Sequence, residues 1–285
     1  MALFRSLINF SIDKIKVIWT IFLTIFSLIS VLLPDYKLYF LLFCIFVIWS
    51  MVVFIQHFII LKKRKIEISS VKNRNFYIMM NGFIENLEIN INDASQQNKR
   101  LAVAVGIDQS LEIISSTDGS IMNDLISYLK SKKLSLEKLQ TAINNSFKNQ
   151  FKQGNTPKLG DIIRVTLEIE NKPIDFLFVV NSRKKTEYYD KNMIHGEDSR
   201  IIIIKLFNKC TELKFEQLML GAIGTNKLEF PYKTIITEII NAFVFCKDKP
   251  KTVFLSLREQ DMKEQNLELR DIVSFTTQSM KFISR

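Results

Sequence analysis

Leu218–Tyr232 reads LMLGAIGTNKLEFPY, and the order of its parts decides the fold. Phe215–Gly221 before it has the hydrophobicity of a buried strand, and an apolar helix is expected over Tyr232–Cys246. Between them lie Gly221, Ala222, Ile223, Gly224, Thr225, Asn226 and Lys227, a turn with two glycines. A strand-to-helix turn of this kind leaves backbone N–H groups available and lets a ligand come close. The helix behind it adds the positive end of its dipole. Pro231 suits the first helical position, where no N–H is needed. These properties fit a phosphate, with Lys227 adding charge. Glycine also serves close packing in ordinary β–α turns, so the turn alone names no ligand.

Outward from this turn, strands and helices alternate. Leu101–Val105 (LAVAV) is a continuous apolar run and reads as a central strand. Asp161–Glu170, Ile174–Asn181 and Thr252–Leu257 read as further strands, and Leu87–Ile91 (LEINI) alternates like an edge strand. Helical spacing is expected over Ile121–Lys133 and Leu134–Phe147, and over the stretch holding Ile203, Leu206, Phe207 and Cys210. Glu259–Arg285 is expected to end the chain in a helix. The pattern implies an α/β domain of three layers, α/β/α, with apolar strands inside and helices on both faces. About two hundred residues make one domain with an ample core.

The first sixty residues differ in kind. Val17–Leu33 and Leu38–Leu61 contain no Asp, Glu, Lys or Arg. At about 1.5 Å per residue each nearly crosses or crosses a hydrocarbon core of about 30 Å. Only Pro34-Asp35-Tyr36-Lys37 joins them, so 17–61 is expected to be a transmembrane helical hairpin, preceded by an interfacial amphipathic segment over 1–16. A cleavable signal peptide fits less well, because no small-residue cleavage site follows Leu33. Arg5, Lys14, Lys16 and the Lys62-Lys63-Arg64-Lys65 cluster flank the hairpin on one side. The positive-inside rule then places both termini and the domain in the cytoplasm of a cell whose inner membrane holds the two spans. A basic juxtamembrane linker is expected over 62–75 and the ligand-binding domain over 76–285. Thr20, Thr24 and Ser27 share one helical face, as a packing seam or a face between copies.

Composition narrows the partners. The net charge of +10 over 285 residues is concentrated partly beside the spans, where it suits an anionic lipid bilayer. The remaining Lys residues form no aromatic-interleaved stripe, so no nucleic-acid partner is expected. Cys44, Cys210 and Cys246 are far apart, and His57 and His195 are the two histidines. That spacing suits neither a zinc site nor a disulfide framework, and no metal or resident cofactor is expected.

LMLGAIGTNKLEFPY resembles the pyrophosphate loop of macro domains, with Ala222-Ile223-Gly224-Thr225 and Pro231 in place and Asn226 where a glycine usually stands. Leu101–Asp108 resembles the first buried strand of that family, its end at Gly106, Ile107 and Asp108 facing the ligand. Thr117-Asp118-Gly119-Ser120 resembles the first phosphate-side loop, and also reads as a plain turn with a helix cap. Asp93 resembles the acidic residue that reads adenine, while Asp108 also suits a loop opener. Tyr188-Tyr189 could stack on a base or sit on the surface. The resemblance implies two transmembrane helices followed by a macro-like α/β domain that binds an ADP-ribose derivative. Catalytic macro domains carry an Asn-containing tract after the first strand and a glycine run before the first helix. Gly106-Ile107-Asp108-Gln109-Ser110 and a single Gly119 stand there instead, so the resemblance implies a sensor with no catalytic residue. A membrane-tethered ADP-ribosyl hydrolase is the alternative, with Asp108 or Asp118 as its base. The arrangement resembles membrane-anchored macro-domain effectors of Thoeris anti-phage defence. That resemblance implies a nucleotide signal made by a TIR-domain protein, such as a histidine or imidazole conjugate of ADP-ribose. It also implies a homo-oligomer that disrupts the membrane on binding.

Overall fold

A computed structural model describes residues 65–71, 74–79, 82–113, 120–151, 155–182, 196–223, 231–246, 250–258, 262–263 and 265–283. It also describes the helical positions 20, 24, 44–45, 47–52 and 55. The chain forms two compact units, Met1–Ile66 and Glu67–Arg285. The interfacial segment 1–16 and most of the hairpin 17–61 lie outside the described residues. At the positions that are described, Thr24 Oγ1 donates to Thr20 O one turn back at 2.9 Å. Ile45, Ile48, Trp49, Met51, Val52 and Ile55 are exposed. Among the described residues no helix is long and apolar enough to cross a membrane.

The second unit is built on a seven-stranded sheet in the order β1-β2-β7-β6-β3-β5-β4. Its strands are β1 (Lys65–Val71), β2 (Arg74–Met79), β3 (Leu101–Asp108), β4 (Ile162–Ile169), β5 (Lys172–Ser182), β6 (Gln217–Gly221) and β7 (Thr252–Ser256). β2, β7, β6, β3 and β5 run parallel, and β4 closes the row antiparallel to β5. The helices are α1 (Phe83–Gln96), α2 (Ile121–Ser131), α3 (Leu136–Gln150), α4 (Gly196–Glu212), α5 (Tyr232–Phe245) and α6 (Leu269–Ile283). Val103, Val105, Ile107, Phe176, Phe178 and Val180 point to one face and pack with α1, α2 and α3 in a single buried cluster. The alternate residues Ala102, Ala104, Leu218 and Leu220 are buried on the other face. There α4 packs on β5 and β4, α5 lies against both α4 and α6, and Phe243 of α5 meets Phe76 of β2 edge-on at 5.4 Å. Burying each such side chain contributes roughly 1.5–3 kcal/mol, so both helical layers are fixed by apolar strands.

Two expectations are corrected. Leu87–Ile91 is not an edge strand but the middle of α1, whose buried face is Phe83, Asn86, Leu87, Asn90, Ile91 and Ala94. Lys65–Val71 and Arg74–Met79, mostly expected as linker, are strands of the sheet. The other strands and helices fall where the apolar patterns place them, within a few residues at their ends, except that the last helix begins at Leu269 and not near Glu259.

Three local devices hold the frame. Ser120 and Ser135 cap α2 and α3, their hydroxyls accepting from Asn123 N at 3.0 Å and Lys138 N at 3.3 Å. The β4–β5 turn is made by Glu170 and Asn171, at φ 51° and 61°, between the paired residues Ile169 and Lys172. At the edge of the sheet, the Gln150 side-chain amide, turned to satisfy both groups, donates to Ile162 O at 3.0 Å and accepts from Arg164 N at 3.2 Å.

We expect Asn171→Val to lower unfolding stability by about 1–2 kcal/mol, because left-handed backbone crowds a β-branched side chain. Asn171→Gly should leave stability unchanged or raise it, and denaturant unfolding compares the two. A second expectation concerns Asn90, fully buried with its Nδ2 aimed at Met79 Sδ (3.0 Å) and Met219 Sδ (3.5 Å) and its Oδ1 without a partner among the described residues. Thioethers are weak acceptors, so Asn90→Leu should gain about 1 kcal/mol in the same measurement.

Candidate functional site

The parallel strands deliver their carboxyl ends to one pole, and two of them diverge there. The β3–β6 ladder runs from Leu101 opposite Gln217 to Ala104 opposite Leu220. β3 then continues to Asp108 in ladder with β5, pairing Gly106 with Val179 and Ile107 with Val180, with a register shift before Asp108 opposite Ser182. β3 leads to α2 on one face of the sheet, while β6 leads to α5 on the other. Neighbouring parallel strands whose connections leave to opposite faces open a crevice between their carboxyl ends, where α/β folds receive ligands.

The residues at this crevice come from distant parts of the sequence. Gly221 ends β6 beside Ser256 of β7, and a Cβ added to it would collide with the Cδ1 methyl of Ile121. The end of β6 therefore touches the first residue of α2, next to its cap Ser120. A helix start at this place presents unpaired N–H groups and the positive end of the dipole. Ala222 and Ile223 are buried directly after Gly221. At the end of β3, a Cβ on Gly106 would collide with the Asn181 amide, so the bare glycine makes room for that polar side chain. Gly106, Ile107, Ser120, Gly221, Ala222 and Ile223 are thus gathered at one pole. Asp118, Gly119, Gly224, Thr225, Asn226 and Lys227 lie outside the described residues, as do Tyr188, Tyr189 and His195.

Asp108 sits at the same pole with its carboxylate engaged in its own loop. Its Oδ1 accepts from Ser110 N at 2.8 Å and from the Ser110 hydroxyl, while Gln109 N donates to Ser182 O at 3.1 Å. This is an Asx-turn that opens the loop. Asp93 is not brought to the crevice. It lies near the end of α1, whose neighbouring Ala94 and Ser95 line a groove with Leu101 at the opposite pole. The start of α5 is also engaged, since Tyr232 N donates to Gln265 Oε1 at 2.7 Å.

Several residues here escaped the sequence reading. Asn181 was visible only as a polar residue closing the apolar run IDFLFVV. Ile121 looked like an ordinary first helical residue, and its role follows from the contact with Gly221. Arg258 follows β7 and lies 3.4 Å from Asp124 of α2 through Nε and Oδ2. Burial pushes the Asp124 carboxyl above its ordinary range, Arg258 opposes that shift and Glu85 adds to it. Asn86 of α1 donates to Ser256 Oγ at 2.7 Å beneath Gly221's neighbouring strand. The gathered groups are hydrogen-bond donors, an amide and a helix start, with the Arg258 charge paired to Asp124; the donors and the helix start suit an anion. Among the described residues no cluster of three or more His, Cys, Asp or Glu is placed to hold a metal ion.

No protein-family model and no curated protein sequence matches this chain. Among solved structures it is similar to a mutant macrodomain from Oceanobacillus iheyensis, at 10% identity and a TM-score of 0.50 over 77% of this chain and 93% of that one. The same macrodomain with MES bound gives 12% identity and a TM-score of 0.50 over 77% and 96%. A Thermosipho africanus DarTG in complex with ADP-ribose gives 11% identity and a TM-score of 0.49 over 76% of this chain and 48% of that one. The mixed seven-stranded sheet with its two helical layers is a macrodomain-like α/β fold.

Proposed function

We propose that this domain is a sensor of an ADP-ribose-type nucleotide and that the chain is the membrane effector of a bacterial anti-phage system. One observation carries the ligand reading. Gly221 at the end of β6 and the capped start of α2 meet beside the switch point between β3 and β6, as the Gly221–Ile121 contact records. The pyrophosphate would lie across that junction, with the Gly221–Lys227 turn on one side and Ser120 on the other. Asn181 would offer its amide to a ribose. Asp108 is spent on its own loop, which supports binding without hydrolysis over a tethered ADP-ribosyl hydrolase.

The membrane part rests on sequence and on a local feature of the first unit. Val17–Leu33 and Leu38–Leu61 lack charge, and the exposed Ile48, Trp49, Met51 and Ile55 suit a lipid-facing surface better than a watery one. Two spans with both termini and the domain in the cytoplasm would couple the domain to the bilayer. A signal made by a TIR-domain protein, such as a histidine or imidazole conjugate of ADP-ribose, would bind the crevice. Binding would order the loops, join copies into a homo-oligomer and bring spans together until the membrane fails.

Calorimetry on the purified full-length chain, with ADP-ribose and its histidine conjugate, tests the ligand. Gly221→Val should weaken binding about tenfold or more, equivalent to about 1.4 kcal/mol, by forcing Ile121 across the crevice. Unchanged affinity in that variant removes the assigned site. The absence of ADP-ribose release on prolonged incubation is expected, and release abolished by Asp108→Ala would establish the hydrolase instead. In dye-loaded vesicles the reconstituted chain should leak only when ligand is added. Binding without leakage or assembly would leave a tethered sensor and sink the effector role.

A further inference from the structure

At the opposite pole the sheet carries a second concavity, of about 430 Å³, within the range of small-molecule sites. It opens where β3 and β5 begin and where β4 ends its pairing with β5. Leu101 on its wall and Asp108 at the crevice are seven residues apart on one strand, about 23 Å. Its walls carry Lys99, Arg100, Arg164 and Lys172 against a single carboxylate, Asp175, a surplus of three positive charges. That imbalance is held in a fixed arrangement. Asp175 Oδ1 takes Arg164 Nε at 2.8 Å and Thr166 Oγ1 at 2.6 Å, and its Oδ2 takes Arg100 Nη2 at 3.4 Å. Arg100 Nη1 donates to Leu213 O at 2.8 Å. Both guanidinium groups lie over the Phe215 ring, at 4.6 and 5.7 Å from its centre.

We propose that this groove binds a small phosphorylated polyanion carrying three or more negative charges, at a site separate from the nucleotide crevice. Arg164 commits only Nε, and among the described residues its two Nη groups have no partner. A guanidinium edge presented in this way matches the oxygen pair of a phosphate. Lys99 and Lys172 donate to neutral amides, Gln97 Oε1 at 2.7 Å and Asn92 Oδ1 at 3.2 Å. Among the described residues neither is in an ion pair, so both keep charge for a ligand. Glu170, the nearest other carboxylate in sequence, is bound by Lys132 at 2.7 Å and interacts with Lys172 through space only. A ligand with several negative charges neutralises the surplus, whereas a single carboxylate would not. Stacking on Phe215 and the Asp175 bridge hold the two arginines in place beforehand, which lowers the ordering cost of binding.

The test is titration of the purified full-length chain with sodium tripolyphosphate and, separately, with a water-soluble short-chain phosphatidylinositol phosphate. A Lys99→Gln/Lys172→Gln double variant runs beside it, leaving the Asp175 cluster intact. We expect saturable binding of at least one probe, weakened about tenfold or more in the double variant and by added salt. The probe that binds tells a free phosphorylated metabolite from a lipid headgroup. ADP-ribose affinity should be the same in both proteins, which keeps this outcome apart from that of the crevice. Failure of both probes at millimolar concentration, or equal binding by the double variant, overturns the proposal.

Discussion

Parallel strands can be joined only by crossovers that run back over a face of the sheet, and five strands of this sheet run parallel. From that constraint the rest follows. Each returning helix must cover apolar strand residues, so the strands carry unbroken runs such as LAVAV and FLFVV. Each helix that follows a strand starts at the carboxyl pole, so α1, α2, α4 and α5 all begin there. Their dipoles point the same way, and this pole gathers partial positive charge without needing a cluster of lysines. The polar groups built into it, Asn181, Ser256 and Asn86, are placed by strand ends and by one helix under them. The antiparallel β4 adds cover on one side and does not disturb that polarity.

Two kinds of electrostatics therefore occupy the two ends of one sheet. At the carboxyl end the positive field belongs to the backbone, with Arg258 held beside a half-buried Asp124. At the amino end it belongs to side chains, four cations grouped around one carboxylate and an aromatic ring. Backbone dipoles cannot be removed by a point substitution, so function at the carboxyl end is vulnerable mainly through shape, as at Gly221 and Gly106. At the amino end charge substitution is the sensitive lever, and the fold should scarcely notice it.

How much of this was legible depends on whether a residue's partner lies nearby in the chain. The central strands declare themselves because both of their faces are buried. α1 did not, because two members of its buried stripe are Asn86 and Asn90. Counted as polar they break the helical period and leave LEINI looking like a strand, whereas with them the stripe runs 83, 86, 87, 90, 91 and 94. β1 and β2 were missed for a related reason. KIEISSV runs directly on from the basic cluster, and Lys65 and Glu67 make it read as linker, although its alternation places Ile66 in the buried core. At the crevice, the strand ends at Gly106 and Gly221 were readable from the apolar runs that lead to them. The engagement of Asp108 by Ser110 and the distance of Asp93 depend on loop geometry and helix direction, which residue types do not encode.

The Gln150 amide on β4 has a wider consequence. An outer strand with open N–H and C=O groups is a template on which another chain can lay itself, extending the sheet without limit. Here a side chain from α3 imitates one rung of the missing neighbour, satisfying Ile162 O and Arg164 N together. Arg164 and Glu168 beside that rung add charge against a flat approach. A rung closed in this way leaves that part of the edge unable to recruit a further strand. The proposed association of copies would then fall to helices or loops, surfaces whose fit can be made to depend on what has bound.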